Sequence, residues 1–129
     1  MEWKNEYALG VELIDKQHQE LFRAANRVLR IVDAGEDDRS RRACEEAVKY
    51  LKNYTIQHFQ DEEMYQLSTA YEGYIRHKAL HDEFRKTVLI QEQRMVAEDF
   101  SRDSVMGFMK ILSAWLVSHI MKEDQHINK

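Results

Sequence analysis

No proline occurs anywhere in the 129 residues, and glycine occurs only four times. A chain so poor in helix breakers can run long helices, and its apolar residues recur at helical spacing. Four such stretches are legible. The first is predicted over about residues 13–33, with Ile14, His18, Leu21, Phe22, Ala25, Leu29 and Val32 on one face, before "AGEDD" breaks it. The second is predicted from Ser40, read as the N-cap, to about Leu67. Its inner face holds Ala47, Leu51, Tyr54, His58, Glu62 and Tyr65. The third follows "STAYEG", where Thr69 and Glu72 have capping-box spacing. Its stripe is Tyr74, His77, His81, Phe84, Val88 and Met95. Ser101 is the predicted N-cap of the fourth, with Asp103 in its first turn. Val105, Phe108, Leu112, Trp115 and His119 run along it. Residues 1–12 read as an irregular aromatic arm, with Trp3 and Tyr7 expected to pack on the helices as a lid. Four helices of about 20–28 residues with short links match an all-α, antiparallel up-down-up-down four-helix bundle. The length suits a single domain spanning 1–129.

Composition then removes whole classes of function. With 43% apolar and 33% charged residues the chain is neither disordered nor a membrane protein by composition. A net charge of -4 and a pI near 5.9 exclude the basic excess that a nucleic-acid surface needs. The longest apolar run, "ILSAWLVSHIM", is too short to span a bilayer and carries Ser113, Ser118 and His119, so no membrane association is expected. The N-terminus "MEWKNEYALG" is acidic and aromatic, unlike a signal peptide. Cys44 stands alone, which fits a reducing compartment, and a cytoplasmic location is expected. Cys44 itself reads as a small core filler.

The histidines carry more information. Every predicted helix places an imidazole on its inward stripe: His18, His58, His77 with His81, and His119. A buried neutral imidazole needs partners for both ring nitrogens, and a pair one turn apart doubles the difficulty. A metal ion that takes a lone pair from each resolves it. Glu62 follows His58 by one turn, and "HIMKED" offers Glu123 four and Asp124 five residues after His119. Helical periodicity alone selects Glu123. It also turns Glu63 outward to solvent and leaves His126 at the surface.

Imidazoles with carboxylates suit iron, zinc, copper or nickel, and are too rich in nitrogen for magnesium or calcium. With one cysteine, thiolate zinc and iron–sulfur sites are excluded. "HKALH" lacks the glutamate of a zincin. A ferritin-type site needs two Glu-x-x-His motifs, and the chain offers one, Glu123 to His126. Five histidines and two carboxylates exceed the needs of one ion, whereas two ions bridged by carboxylates would use them all.

The succession "IDKQHQELF", "HFQDEE", "HKALH" and "WLVSHIMKED" resembles hemerythrin, and more closely the single-domain bacterial hemerythrins. The resemblance covers nearly the whole chain. It implies a cofactor of two non-haem iron ions with an oxo or hydroxo bridge. One iron would take His77, His81 and His119. The other would take His18 and His58 and keep an open position. Glu62 and Asp124 would bridge them, so the resemblance replaces Glu123 by Asp124. Trp115, Leu116 and Ile120 match the family's apolar residues around the open iron. A proline often follows the tyrosine that opens the family's third helix, and this chain has Glu72 there.

The activity implied is reversible binding of dioxygen for storage, scavenging or delivery. A sensor of oxygen or redox state is the alternative. Sensor versions are commonly joined to signalling domains, and the absence of one here favours the carrier. A diiron peroxidase or nitric-oxide-handling enzyme would need proton delivery, and no polar path to the site is legible, so the chain is expected not to be an enzyme. A zinc-only structural bundle is the weakest reading. The sequence names no protein partner.

Overall fold

In a computed structural model, which describes residues 1–127, four helices account for most of the chain. They are α1 (Glu12–Ala34), α2 (Asp38–Ser68), α3 (Tyr74–Ala97) and α4 (Arg102–Lys122). Short 3-10 turns lie at Asn5–Tyr7 and Asp124–His126. Each helix packs on the one before it, and α4 closes back on α1. The fold is an all-α four-helix bundle.

The ends of the helices show how the sequence encodes them. The α2 N-cap is Asp37, whose carboxylate accepts from the Ser40 amide at 2.8 Å. Ser40, predicted as the cap, is therefore the third helical residue. At the start of α4 the prediction holds, since Ser101 Oγ accepts from the Ser104 amide at 3.2 Å. Asp15 reaches back across the start of α1 to the amides of Leu9 and Gly10, at 2.7 and 3.0 Å. This ties down a turn in which Gly10 takes a φ of 86°.

The capping box predicted from Thr69 and Glu72 does not form. Thr69 is the C-cap of α2, and α3 begins after Gly73 with no side-chain cap. The segment closes α2 instead. The Tyr71 amide donates to Gln66 O at 2.9 Å and the Ala70 amide to Leu67 O at 3.2 Å, which is a Schellman motif. Ala70 holds its left-handed position at φ 54°.

The N-terminal arm packs as predicted. Trp3, Tyr7 and Phe22 meet edge to face with centroids 5.6 Å apart. Asn26 clamps the Met1 backbone, accepting from its amine at 2.9 Å and donating to its carbonyl at 2.6 Å. Gln125 donates to Tyr7 O at 3.1 Å, so the arm also touches the C-terminal turn.

The segment Arg102–His126 is long and apolar enough, by length and composition, to cross a membrane. In the bundle it supplies a large share of the core. Val105, Phe108, Met109, Leu112, Leu116 and Ile120 are all buried. The core divides along the axis. At the end where α1 and α3 finish it is apolar, with Val28, Val32, Val48, Leu51, Val88, Met95, Phe100 and Phe108. At the other end it buries His18, His58, Glu62, His77, His81, His119 and Asp124.

Candidate metal centre

All four helices and the C-terminal 3-10 turn deliver polar side chains to one place. His18 comes from α1, His58 and Glu62 from successive turns of α2, His77 and His81 from successive turns of α3, and His119 from α4. Asp124 opens the 3-10 turn. None of the seven is more than 5% exposed.

Their donor atoms fall into two groups that share the carboxylates, each group lying within 4.8 Å. On one side, His77 Nε2 is 2.9 Å from both Glu62 Oε1 and Asp124 Oδ1. His81 Nε2 is 3.1 Å from Glu62 Oε1, and His119 Nε2 is 3.0 Å from Asp124 Oδ1. On the other side the second oxygens serve. His58 Nε2 is 3.3 Å from Glu62 Oε2, and His18 Nε2 is 3.1 Å from Asp124 Oδ2 and 3.6 Å from Glu62 Oε2. Each carboxylate is split, one oxygen to a group.

The same atoms do not satisfy one another. Despite these short separations, all four oxygens of Glu62 and Asp124 and His18 Nε2 have no partner in hydrogen-bond geometry. The Nε2 atoms of His77 and His81 lie 2.9 and 3.1 Å from that of His119. Donors that each stand about 2.1 Å from one ion, at right angles, are about 3 Å apart. The observed spacing is that of ligands around a common point, not of a hydrogen-bonded core. Imidazoles and carboxylates in this proportion fit a borderline transition metal such as iron.

Without an ion the carboxylates keep protons on the imidazoles. Burial pulls His18 and His77 down, but Asp124 and Glu62 outweigh it and push both up to about 9. His81 is raised against burial by Glu62 and Glu63. His58 is lowered, by burial first. Burial favours the neutral acids of Glu62 and Asp124, yet the surrounding imidazoles hold both below the ordinary carboxylate range. The pocket is therefore charged, proton-rich and poised to exchange protons for a cation.

Asp124 rather than Glu123 faces the centre because α4 stops at Lys122. Beyond it Glu123 leaves regular helix geometry at φ -107° and ψ -52°, and Asp124, the first residue of the 3-10 turn, lies with Oδ1 3.0 Å from His119 Nε2. Glu123 instead forms a two-pronged ion pair with Arg76 at the surface. His126 is exposed and Cys44 is buried, its thiol pushed up by burial.

Glu63 departs from its predicted place. It is buried, 8% exposed, and its Oε2 lies 2.8 Å from His81 Nδ1. Arg85 holds it from behind at 3.0 Å. Gln17 was not singled out in the sequence. Its Oε1 lies 2.8 Å from His58 Nδ1, while its amide nitrogen donates to Asp61 at 2.7 Å. The signal was available, since Gln17 is three residues after Ile14 on the buried stripe of α1. Gln66, also missed, is buried one turn beyond Glu62 with both amide atoms unpartnered among the described residues.

Leu116 and Ile120 are buried in the same core cluster as Phe22 and Phe59. Trp115 lies at the edge of that cluster, meeting Phe59 edge to face at 5.4 Å. Half-buried, it lies flat on His119 with centroids 4.3 Å apart, and on Phe84 at 4.1 Å. Its contacts are thus with the three-histidine group rather than with His18 or His58. Phe59 stacks on His81 in the same way, at 4.1 Å.

Comparison with known proteins gives one answer by sequence and by structure. A family model, the hemerythrin HHE cation binding domain, matches residues 9–129. A bacteriohemerythrin of Clostridium acetobutylicum is 30% identical over 125 residues, covering 95% of both chains. A myohemerythrin of Theromyzon tessulatum is 28% identical over 123 residues, covering 95% of this chain and 87% of its own. A crystal structure of wild-type hemerythrin superposes with a TM-score of 0.83 at 25% identity, covering 97% of this chain and 92% of its own.

Proposed function

The chain belongs to the hemerythrin HHE cation-binding family, and from that premise we propose that it is a non-haem diiron protein that binds dioxygen reversibly, to store, scavenge or deliver it. The observation that carries the reading is the splitting of Glu62 and Asp124, each with one oxygen on the side of His77, His81 and His119 and the other on the side of His18 and His58. His77, His81 and His119 would hold one iron. His18 and His58 would hold the other, with Glu62 and Asp124 bridging. Two divalent ions against two carboxylates leave excess positive charge in a buried site. An oxo or hydroxo bridge between the ions would reduce it.

Two ferrous ions there would supply the two electrons that dioxygen takes on binding, and recover them on release. The residues of the chain do the rest. With two imidazoles instead of three, the His18–His58 side leaves a position free for a ligand. Leu116, Ile120, Phe22 and Phe59, buried in one apolar cluster, exclude the water and protons that would make release irreversible. None of those four side chains can donate a proton, which favours binding over turnover and supports a role that is not enzymatic. A lone, buried Cys44 supports a reducing, cytoplasmic setting.

Purified protein, reduced without air, then aerated, then flushed with inert gas, tests this. A charge-transfer band that appears with air and disappears on flushing through several cycles is the expected result. One-way conversion to the ferric form would refute reversible binding. Wild type is expected to carry two irons per chain and Glu62→Ala to lose them. Unchanged iron in that variant would sink the assignment of ligands.

A further inference from the structure

The two groups of imidazoles present equivalent Nε2 atoms to the centre, and they differ at the far nitrogen. In the three-histidine group, His81 Nδ1 faces the carboxylate of Glu63 at 2.8 Å. Arg85 fixes that carboxylate, its Nη1 3.0 Å from Oε2 and its Nη2 3.2 Å from Oε1. Phe59 stacks on the flat face of the His81 ring with an interplanar angle of 10°. The ring is held both at its edge and on its face.

In the two-histidine group, His58 Nδ1 faces a neutral amide oxygen, that of Gln17, at 2.8 Å. The orientation of that amide is settled by its other end. Asp61 can only accept, so the nitrogen of Gln17, 2.7 Å away, faces Asp61 and the oxygen faces His58. Both imidazoles must therefore donate from Nδ1 and offer a lone pair from Nε2. The Nδ1 atoms of His18 and His77 have no partner among the described residues.

An anion drawing on an imidazole N–H pushes electron density to the opposite nitrogen, and a neutral amide does so more weakly. We propose that Glu63 and Gln17 are positioning residues that make the three-histidine position the stronger electron donor, so that iron held there is oxidised first. The inference rests on the diiron reading above. In the step, one electron leaves the ferrous ion at His77, His81 and His119 for an outer-sphere one-electron oxidant such as ferricyanide. The Nδ1 proton of His81 stays shared with Glu63, and no bond to the protein breaks. The neutral support at His58 keeps its partner ion ferrous.

The test is a redox titration of iron-loaded wild type, Glu63→Gln and the double variant Gln17→Glu with Asp61→Asn, followed by electron paramagnetic resonance of the half-oxidised state. Wild type should pass through a well-populated mixed-valence form. Glu63→Gln should make the first oxidation at least tenfold less favourable, about 59 mV for one electron, and shrink the mixed-valence signal. Gln17→Glu, made together with Asp61→Asn so that an amide nitrogen and not a second carboxylate faces the new acid, should ease the second oxidation by a similar factor and shrink the signal from the other side. Should Glu63→Gln fail to fold or to hold iron, the double variant decides alone. Wild type with two irons, whose potentials and signal are matched by the variants that load, would overturn this inference and leave the diiron reading intact. Wild type that takes up no iron would overturn both.

Discussion

The two halves of the bundle are made of the same four helices and are held together by opposite means. In the apolar half, Val28, Leu51, Val88, Met95, Phe108 and Leu112 are buried against one another. Each such side chain contributes about 1.5–3 kcal/mol by leaving water. That half needs no ligand. The polar half buries five imidazoles and two carboxylates at the same depth. Removing charges from water costs several kcal/mol apiece unless they are paired with good geometry, and the oxygens of Glu62 and Asp124 lack it. The contrast teaches that burial by itself says little. One half is buried because it is apolar, the other because it converges on something.

The largest effect that could break this contrast is removal of the ions. Chelation should lower stability by about 8 kcal/mol, taking two ions each at a thousandfold excess over its dissociation constant. Amide hydrogen exchange should then rise in the N-terminal half of α1, the C-terminal halves of α2 and α4 and the N-terminal half of α3. A uniform rise along every helix would show that the halves are not separate. Next comes Leu112→Ala, at a fully buried site in the apolar half. It should cost about 3 kcal/mol in denaturant unfolding while the iron content per chain stays that of the wild type.

A smaller effect separates the halves by pH. In the metal-free protein His18 and His77 titrate near 9, against an ordinary 6.5. Raised values stabilise fully below pH 6.5, and that stability is lost as pH climbs through about 9. Metal-free protein should therefore lose stability on the order of 2 kcal/mol for each of the two imidazoles between pH 7 and 9. Loaded protein should not, because an ion binds the same imidazoles without their protons. Parallel melting curves for the two forms would refute the assignment. The smallest change sharpens the comparison without touching a ligand. Ala70 sits at φ 54° in the turn that ends α2, and Ala70→Gly should stabilise by about 1 kcal/mol with iron content unchanged.

Much of this was readable in the sequence. The stripes of α1 to α4 and the inward His18, His58, His77, His81 and His119 follow from a repeat of 3.6 residues. Where the reading failed, the repeat had stopped applying. Glu63 looked outward because a stripe was drawn for one neighbour, but α2 packs between α1 and α3 and buries a wider face that includes Phe59, Glu62, Glu63 and Gln66. Glu123 fitted the spacing from His119 because nothing in "HIMKED" marks that α4 ends at Lys122. Thr69 and Glu72 had the spacing of a helix start but lie where α2 ends, and spacing alone does not tell the two apart. Asp37 outcompeted Ser40 as a cap because both are good caps, and the chain enters the helix at the earlier one.

The division of Glu62 and Asp124 between two groups has a consequence for how the centre fills. An ion arriving on either side would fix both carboxylates, and so order two of the ligands of the vacant neighbour before anything occupies it. On the diiron reading, occupancy would be cooperative to the extent that this ordering outweighs the repulsion between the two ions. Under scarcity a population of these molecules should sort into full and empty copies with few in between, so that a shortage of iron changes how many copies work rather than how well each one does.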